Sequence, residues 1–236
     1  MKLFDLDSPL MQALNKVADL LWLNVLTMIC CIPVVTAGAS LTALHYMALK
    51  MARNEECYIT RDFFKSFKAN FKQGTIIGLI LLFIIVGMTG DYFIIKYSGL
   101  EFNNVFQMLF TALAILVFFT SMFLFPVLAK FENTVLRTIR NAFYIGVLQF
   151  PKTILMMILT VLPAALFFFV PQIIPLVFLL GLSVPAWLSA KLYSNFFKKL
   201  EDQFRATHQP EEEEEQEDLR IFRDELDESL SDHSDL

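Results

Sequence analysis

Long apolar runs alternate with short amphipathic segments along the first 200 residues. Residues 61–72 form the clearest amphipathic segment: at 100° per residue, four phenylalanines share an arc of about 100° on a helix and three lysines gather opposite them. These residues are Phe63, Phe64, Phe67 and Phe71 on one side, and Lys65, Lys68 and Lys72 on the other. A basic amphipathic helix beside an apolar run is expected to lie at the membrane surface with its aromatic side toward lipid. The pattern therefore predicts lipid or partner contacts for all seven.

A second amphipathic segment occurs 72 positions later, at residues 131–143. Its apolar arc consists of Phe131, Val135, Leu136, Ile139 and Phe143. Arg137 and Arg140 lie beyond the edge of that arc and align with Lys65 and Lys68 of the first segment. This match indicates a weak internal repeat and adds the two arginines to the expected contact residues.

The apolar runs predict an all-α polytopic membrane protein with about six transmembrane helices in three hairpins, each preceded by a cytosolic amphipathic helix. The expected spans cover residues 20–35, 36–52, 75–97, 103–129, 152–170 and 173–192, and residues 10–21 form the first entry helix. The second span reaches only about 17 residues, the lower limit for a crossing, so a re-entrant hairpin is the alternative. Pro163, Pro175 and Pro185 predict that the last hairpin is bent.

Basic residues near the span ends set the expected orientation. They concentrate between spans two and three, between four and five, and after span six, whereas Lys96 is the exception in the opposite turns. By the positive-inside rule, both termini are expected in the cytosol.

Composition supports the membrane class and separates a tail from the body. Hydrophobic residues make up 56% of the 236 residues, and the mean hydropathy is +0.56. Residues 201–236 hold fifteen acidic residues against three arginines, and because the whole chain carries −5, residues 1–200 carry +7. Residues 1–200 are therefore expected to form the membrane domain and residues 201–236 a disordered acidic cytosolic tail. This charge pattern does not imply nucleic-acid binding.

The sequence contains no catalytic, nucleotide-binding or metal-binding motif, so we expect neither an enzyme nor a cofactor. Ionisable and amide groups within spans are costly and are therefore the candidates for intramembrane function: Asp19, Asn24, His45 and Asp91. Lys16 is expected to form an ion pair with Asp19, three positions away. Small residues four positions apart let helices approach closely, which makes Gly38, Ala39, Thr42 and Ala43 expected packing residues.

Three strings carry a family resemblance. Residues 4–24 read FDLDSPLMQALNKVADLLWLN, residues 30–73 read CCIPVVTAGASLTALHYMALKMARNEECYITRDFFKSFKANFKQ, and residues 132–143 read ENTVLRTIRNAF. In combination they resemble the YesL family of bacterial membrane proteins. The resemblance implies a small integral membrane protein of Gram-positive bacteria, often encoded beside carbohydrate ABC importers, with no settled activity.

Three functions follow as expectations. The first is an accessory subunit that binds the permease of a carbohydrate ABC importer. The second is an autonomous small-solute transporter or channel, with Asp91, Asn24 and His45 along its path. The third is an interfacial lipid-binding scaffold built on residues 61–72, which we call the Lys/Phe segment. The bilayer is a partner in each case, and a homo-oligomer is left open.

Overall fold

The computed structural model describes residues 9–97, 104–131, 133–170, 172 and 174–206, and the regular structure in this part of the chain is entirely helical. The helices are α1 (Pro9–Cys31), α2 (Ala37–Ala52), α3 (Ile59–Ala69), α4 (Phe71–Tyr97), α5 (Asn104–Lys130), α6 (Val135–Leu148), α7 (Phe150–Phe169), α8 (Ile174–Leu180) and α9 (Ser183–Ala206). A short 3-10 turn, Val34–Thr36, joins α1 to α2. The predicted all-α class is confirmed.

Four of these helices, α1, α4, α5 and α7, are long and apolar enough to cross a membrane. The pair α8 and α9 is bent by 51° and provides a fifth crossing if it counts as one broken span. The chain is therefore a multi-pass membrane protein. Helix α2 has 16 residues, about 24 Å at 1.5 Å per residue, which is less than the roughly 30 Å of a bilayer core. Six crossings remain a prediction.

Helix α2 forms the centre of the protein although it has only 16 residues. It packs against α1, α3, α4 and α5. Its buried residues are Gly38, Ala39, Ser40, Thr42, Ala43, Leu44, Met47, Ala48, Leu49 and Met51. Small side chains dominate its first half, which lets the surrounding helices come close.

The closest approach lies between α2 and α4. A Cβ atom on Gly78 would stand 2.8 Å from the Cα of Gly38, and one on Gly74 would stand 2.9 Å from the Cα of Ala39. Gly74 and Gly78 are four residues apart and face Gly38, so the two backbones touch where no side chain fits. Ala39, Thr42 and Gly38 are thus used inside the chain rather than on its surface.

Helix α2 ends in a left-handed cap at Asn54, whose φ is 53°. Glu55 N–H donates to Lys50 O at 3.0 Å, and Asn54 N–H donates to Met51 O at 3.3 Å. These two bonds satisfy the last carbonyls of the helix in the Schellman pattern, for which asparagine is an accepted residue. Lys16 of α1 donates to Asn54 Oδ1 at 2.9 Å, and the salt bridges of the described residues do not include the expected pair of Lys16 with Asp19.

The segment 61–72 is not one helix, contrary to expectation. Helix α3 ends at Ala69, Asn70 adopts a non-helical backbone conformation, and α4 begins at Phe71. The Asn70 side chain donates to Ser66 O at 3.1 Å, an interaction typical of residues that terminate helices. Phe71 and Lys72 therefore belong to the first turn of a span.

Helix α6 places part of its apolar arc at the surface of the protein, where Leu136 is 80% exposed. The face that packs on the protein is formed by Thr138, Ala142, Ile145 and Gly146. In the proposed repeat, Thr138 aligns with Ser66, and both are buried. The aligned small hydroxyl residues are therefore packing positions, whereas Leu136 points away from the protein.

The boundaries predicted for the last span and the tail can be compared with the structure as far as residue 206. The last span breaks at residues 181–182, before Pro185, and α9 continues past the expected domain boundary at residue 200. Contacts divide the chain into Met1–Leu192 and Tyr193–Leu236. In the second unit, the rings of Tyr193 and Phe197 lie 4.7 Å apart. The acidic tail from residue 207 lies outside the described residues.

Candidate functional site

The break between α8 and α9 is held by one side chain of α1. Asn24 is fully buried, and its Oδ1 accepts hydrogen bonds from the N–H groups of Leu182 and Ser183, each at 3.0 Å. Its Nδ2 donates to Phe178 O at 2.9 Å. The first N–H groups and last carbonyls of helices lack partners within the helix, and no water replaces them at membrane depth. Asn24 supplies those partners and is thereby a structural residue at this break.

A cavity of about 380 Å³ lies among α2, α4, α5, α7 and the start of α9. Its walls are mainly apolar, and its polar lining residues are His45, Ser121, Thr160 and Ser189. Ser121 Oγ donates to Phe118 O at 2.7 Å and Thr160 Oγ1 to Met156 O at 2.9 Å. The protons of these two hydroxyls are thus used within their own helices, which leaves their oxygens able to accept.

His45 is the one lining residue of this cavity with a titratable side chain. Its Nδ1 atom is buried and has no hydrogen-bond partner among the described residues. Buried polar atoms normally have partners, so His45 Nδ1 gives this cavity unused capacity to bind a polar group.

The three residues expected along a transport path are not brought together. His45 lines the cavity, Asn24 is bound to the α8–α9 break, and Asp91 lies exposed on α4. Asp19 is exposed on α1. In the described part of the chain, no three histidine, cysteine or acidic side chains come together in a way that could hold a metal.

A second depression, of about 530 Å³, lies where α3 ends, α4 begins and α5 ends. We call it the basic groove. Its lining residues are Tyr46, Lys65, Ser66, Ala69, Asn70, Lys72, Gln73, Leu128, Ala129, Lys130 and Phe131. Three of them are lysines and none is acidic. Lys68, which the sequence grouped with Lys65 and Lys72, does not line it, because it lies on another side of α3.

The aromatic residues of the Lys/Phe segment have divided roles. Phe63 is fully buried against the protein, Phe67 is half-buried, and Phe64 and Phe71 are more than one-third exposed. Arg137 and Arg140 of α6 are both exposed. The segment therefore uses Phe63 as an anchor and leaves Phe64 and Phe71 available to lipid.

An ion pair fixes α3 against the end of α2. Lys50 Nζ donates to Asp62 Oδ2 at 2.8 Å, and both side chains are about four-fifths covered, with 20% and 17% of their surface exposed. This hydrogen bond from the lysine lowers the pKa of the Asp62 carboxyl below its usual 3.8. The pair therefore ties α3 to the end of α2, and neither of its members lines the basic groove.

The part of the chain that carries the central helix, the glycine crossing and the Asn70 break is also the part with a recognisable family signature. Residues 18–92 match the family model described as "Protein of unknown function, DUF624". The DUF624 segment covers about a third of the chain and overlaps the strings at 4–24 and 30–73 on which the YesL resemblance rests. It contains most of α1 and α4 and all of α2 and α3. No curated protein and no solved structure matches the chain.

The DUF624 segment also contains a helix surface with few contacts. Only 6% of the most apolar stretch of α4 is buried in the protein, against 33% for α5. At 100° per residue, Phe83, Gly87, Gly90, Asp91 and Ile94 fall within about 100° of arc. A Cβ on Gly87 or Gly90 would meet nothing within 4 Å among the described residues, and Phe83 is 81% exposed. We call this set the outer face of α4.

Sequence reasoning missed two groups of residues. Gly74 and Gly78 form a GxxxG pair, a spacing that is visible in the sequence, but their partner Gly38 lies on a different helix. Lys130 and Gln73 join Lys65 and Lys72 only because three helix ends meet at the basic groove. No local signal in the sequence identifies such a meeting point.

Proposed function

We propose that this chain is an accessory membrane subunit that binds the permease of a carbohydrate importer through the outer face of α4. The observation that carries the proposal is the open surface around Gly87 and Gly90 next to an exposed carboxylate, Asp91. Glycines that pack against nothing within a chain give a second helix close access to the backbone.

Lipid alone is a poor occupant of this face. Acyl chains cannot hydrogen-bond a carboxylate, and an acidic side chain inside a span is costly. Tyr92, Lys96 and Tyr97 mark the membrane boundary at this end of α4, with Lys96 lying 5.7 Å and 5.6 Å from the two tyrosine rings. Asp91 directly precedes Tyr92 and therefore lies at the inner edge of that boundary. A fitting partner is therefore a transmembrane helix with small residues at its centre and a basic or hydrogen-bond-donating residue near the end.

The nature of the partner rests on the resemblance to the YesL family, whose members are often encoded beside carbohydrate ABC importers. The same proposal places the chain in a bacterial plasma membrane, with six crossings and both termini in the cytosol. The basic residues of α3, α6 and the loops beside them support that orientation.

The test is capture of partners from the native cells under mild detergent, using a tagged chain. Gly87→Leu/Gly90→Leu fills the outer face, and because both positions are open, the fold is expected to tolerate the change. Thr89→Leu is the matched control, since Thr89 is exposed on the opposite side of α4. We expect wild type and the control to recover a permease subunit and the double variant to lose it.

Recovery of no transporter component by the wild type, or equal recovery by the double variant, would refute the proposal. Recovery only of untagged copies of the same chain would replace the permease with a homo-oligomer. Asp91→Asn provides a second measurement: we expect reduced recovery with unchanged protein yield.

A second function is supported by the cavity around His45. Its volume, about 380 Å³, falls in the range of small-ligand sites, which are mostly apolar with a few polar groups. In this alternative, the chain itself binds or moves a small solute. Purified protein in liposomes would then transport the solute, and His45→Leu would abolish transport. Inert liposomes across sugars and ions would exclude it.

A further inference from the structure

The basic groove combines positive charge with an apolar wall. Lys65 comes from α3, Lys72 from the first turn of α4 and Lys130 from the end of α5. Apolar residues from the end of α5 and just after it, Leu128, Ala129 and Phe131, also line the groove. Three ammonium groups around one depression, with no acidic lining residue, favour an anionic occupant.

The neighbouring acidic residue does not neutralise this charge. Asp62, on the same helix as Lys65, is engaged by Lys50 at 2.8 Å and does not line the groove. The side chains of Lys65 and Lys72 are exposed. Lys130 ends α5, where its charge also complements the helix dipole. The argument therefore depends on Lys65 and Lys72.

The position of the groove identifies the source of the anion. It opens where two apolar helices, α4 and α5, reach their ends at the same side of the membrane. Phe71, at the start of α4, is 41% exposed. Phosphate groups of phospholipids lie at this level of a bilayer, and their acyl chains lie along the spans. A free anion would leave the apolar wall unused.

We propose that the basic groove binds the phosphate group of an anionic phospholipid, with Lys65 and Lys72 as its direct ligands and Gln73 as a hydrogen-bond donor. Ala129 and Phe131 contact the glycerol and the first carbons of the acyl chains. This site is independent of the outer face of α4 and of any permease.

The test measures retention of lipid by the purified full chain in detergent, by native mass spectrometry and thermal unfolding. The probes are dioleoyl phosphatidylglycerol, dioleoyl phosphatidylcholine and inorganic phosphate. We expect phosphatidylglycerol to bind and raise the unfolding temperature, and phosphatidylcholine and inorganic phosphate to do neither. Equal stabilisation by inorganic phosphate would assign the groove to a free anion and overturn the lipid proposal.

Two double variants with the same charge change separate a site from general attraction. Lys65→Gln/Lys72→Gln removes two groove ligands, whereas Arg61→Gln/Lys68→Gln removes two exposed charges from the same helix outside the groove. At about 1 kcal/mol for each lysine near anionic lipid, the groove variant should bind phosphatidylglycerol about tenfold or more weakly. The control should stay close to wild type. An equal loss in both variants, or no loss in the groove variant, would overturn the proposal.

Discussion

At the scale of single residues, the clearest dependence of fold on sequence is the contact of Gly38 with Gly74 and Gly78. In the interior of an ordinary helix, alanine is more favourable than glycine by about 1 kcal/mol. The space for a methyl group decides the outcome, and at Gly74 it is missing, because the Cα of Ala39 lies 2.9 Å from the Cβ position. Backbone atoms cannot rotate away as side chains do.

We predict that Gly74→Ala lowers the free energy of unfolding by about 2 kcal/mol or more, since overpacking typically costs 1–3 kcal/mol and here both neighbours are backbone. Gly87→Ala on the same helix is the matched control and should be neutral or stabilising, because its Cβ would meet no described atom within 4 Å. Thermal unfolding in detergent measures both. Equal stability of the two variants would contradict the observed crossing.

The sequence identified Asn24 as a candidate functional residue but could not predict its role. The sequence marks it as a polar group inside a span, and the structure gives it three backbone partners at the α8–α9 break. These partners lie 154 to 159 positions later, beyond the reach of any local pattern.

We predict that Asn24→Leu destabilises the protein by about 2 kcal/mol, because it leaves two N–H groups and one carbonyl without partners in a buried site. Asn15→Leu, at an exposed position of the same helix, should change stability by less than about 0.5 kcal/mol. Protease accessibility at residues 181–182 should rise in the first variant only. An unchanged cleavage pattern would show that Asn24 does not hold the break.

At the scale of elements, periodicity predicted that helices exist more reliably than where they end or which face they bury. The segment 61–72 reads as one amphipathic helix, yet it is divided at Asn70, because the start of α4 must turn to bring Gly74 against α2. In α6, the buried face is the small-residue side, since it packs against α5: a Cβ on Gly146 would lie 2.8 Å from the Phe119 ring. The sequence pattern identified the apolar arc of α6 but did not identify Thr138, Ala142 and Gly146 as its packing residues.

The link between α2 and α3 leads to a pH prediction. The Lys50–Asp62 pair lowers the pKa of Asp62, so its stabilisation is complete above the usual carboxyl value of 3.8 and is lost as the pH falls through the lowered value. We expect Asp62→Asn to lower stability by at most about 1 kcal/mol at pH 5–8. The difference from wild type should stay constant over that range and shrink below pH 3.8. A difference that disappears between pH 5 and 8 would contradict this assignment.

At the scale of the whole molecule, composition was sufficient to predict a multi-pass helical membrane protein. It was insufficient to predict which helix lies at the centre of the protein. Helix α2 is at the lower length limit for a span, and it contains the polar residues Ser40 and Thr42. Both are buried in a helix that packs against α1, α4 and α5. A helix surrounded by protein needs no apolar surface for lipid, so hydropathy underestimates its importance. The cavity around His45 follows from the same arrangement and has no linear signature.

The crossing of α2 can be tested by labelling single cysteines in an otherwise cysteine-free chain. Val35, at the α1–α2 turn, is 52% exposed, and Glu56, between α2 and α3, is exposed. If α2 crosses fully, an impermeant maleimide should label Val35→Cys from outside intact cells and Glu56→Cys only after the cytosolic side is opened. A re-entrant hairpin would leave Val35→Cys unlabelled from outside.

The contact of α1 with the α8–α9 break also imposes an order on biosynthesis. The ribosome makes Asn24 early, and the three groups that satisfy it emerge only after about another 150 residues. During that interval, the Asn24 amide lies in the membrane without its final hydrogen-bond partners, or it forms temporary hydrogen bonds with the insertion machinery. Helix α1 is thus completed by the α8–α9 break, and chains that stop before residue 183 are expected to be recognised as unfinished and degraded.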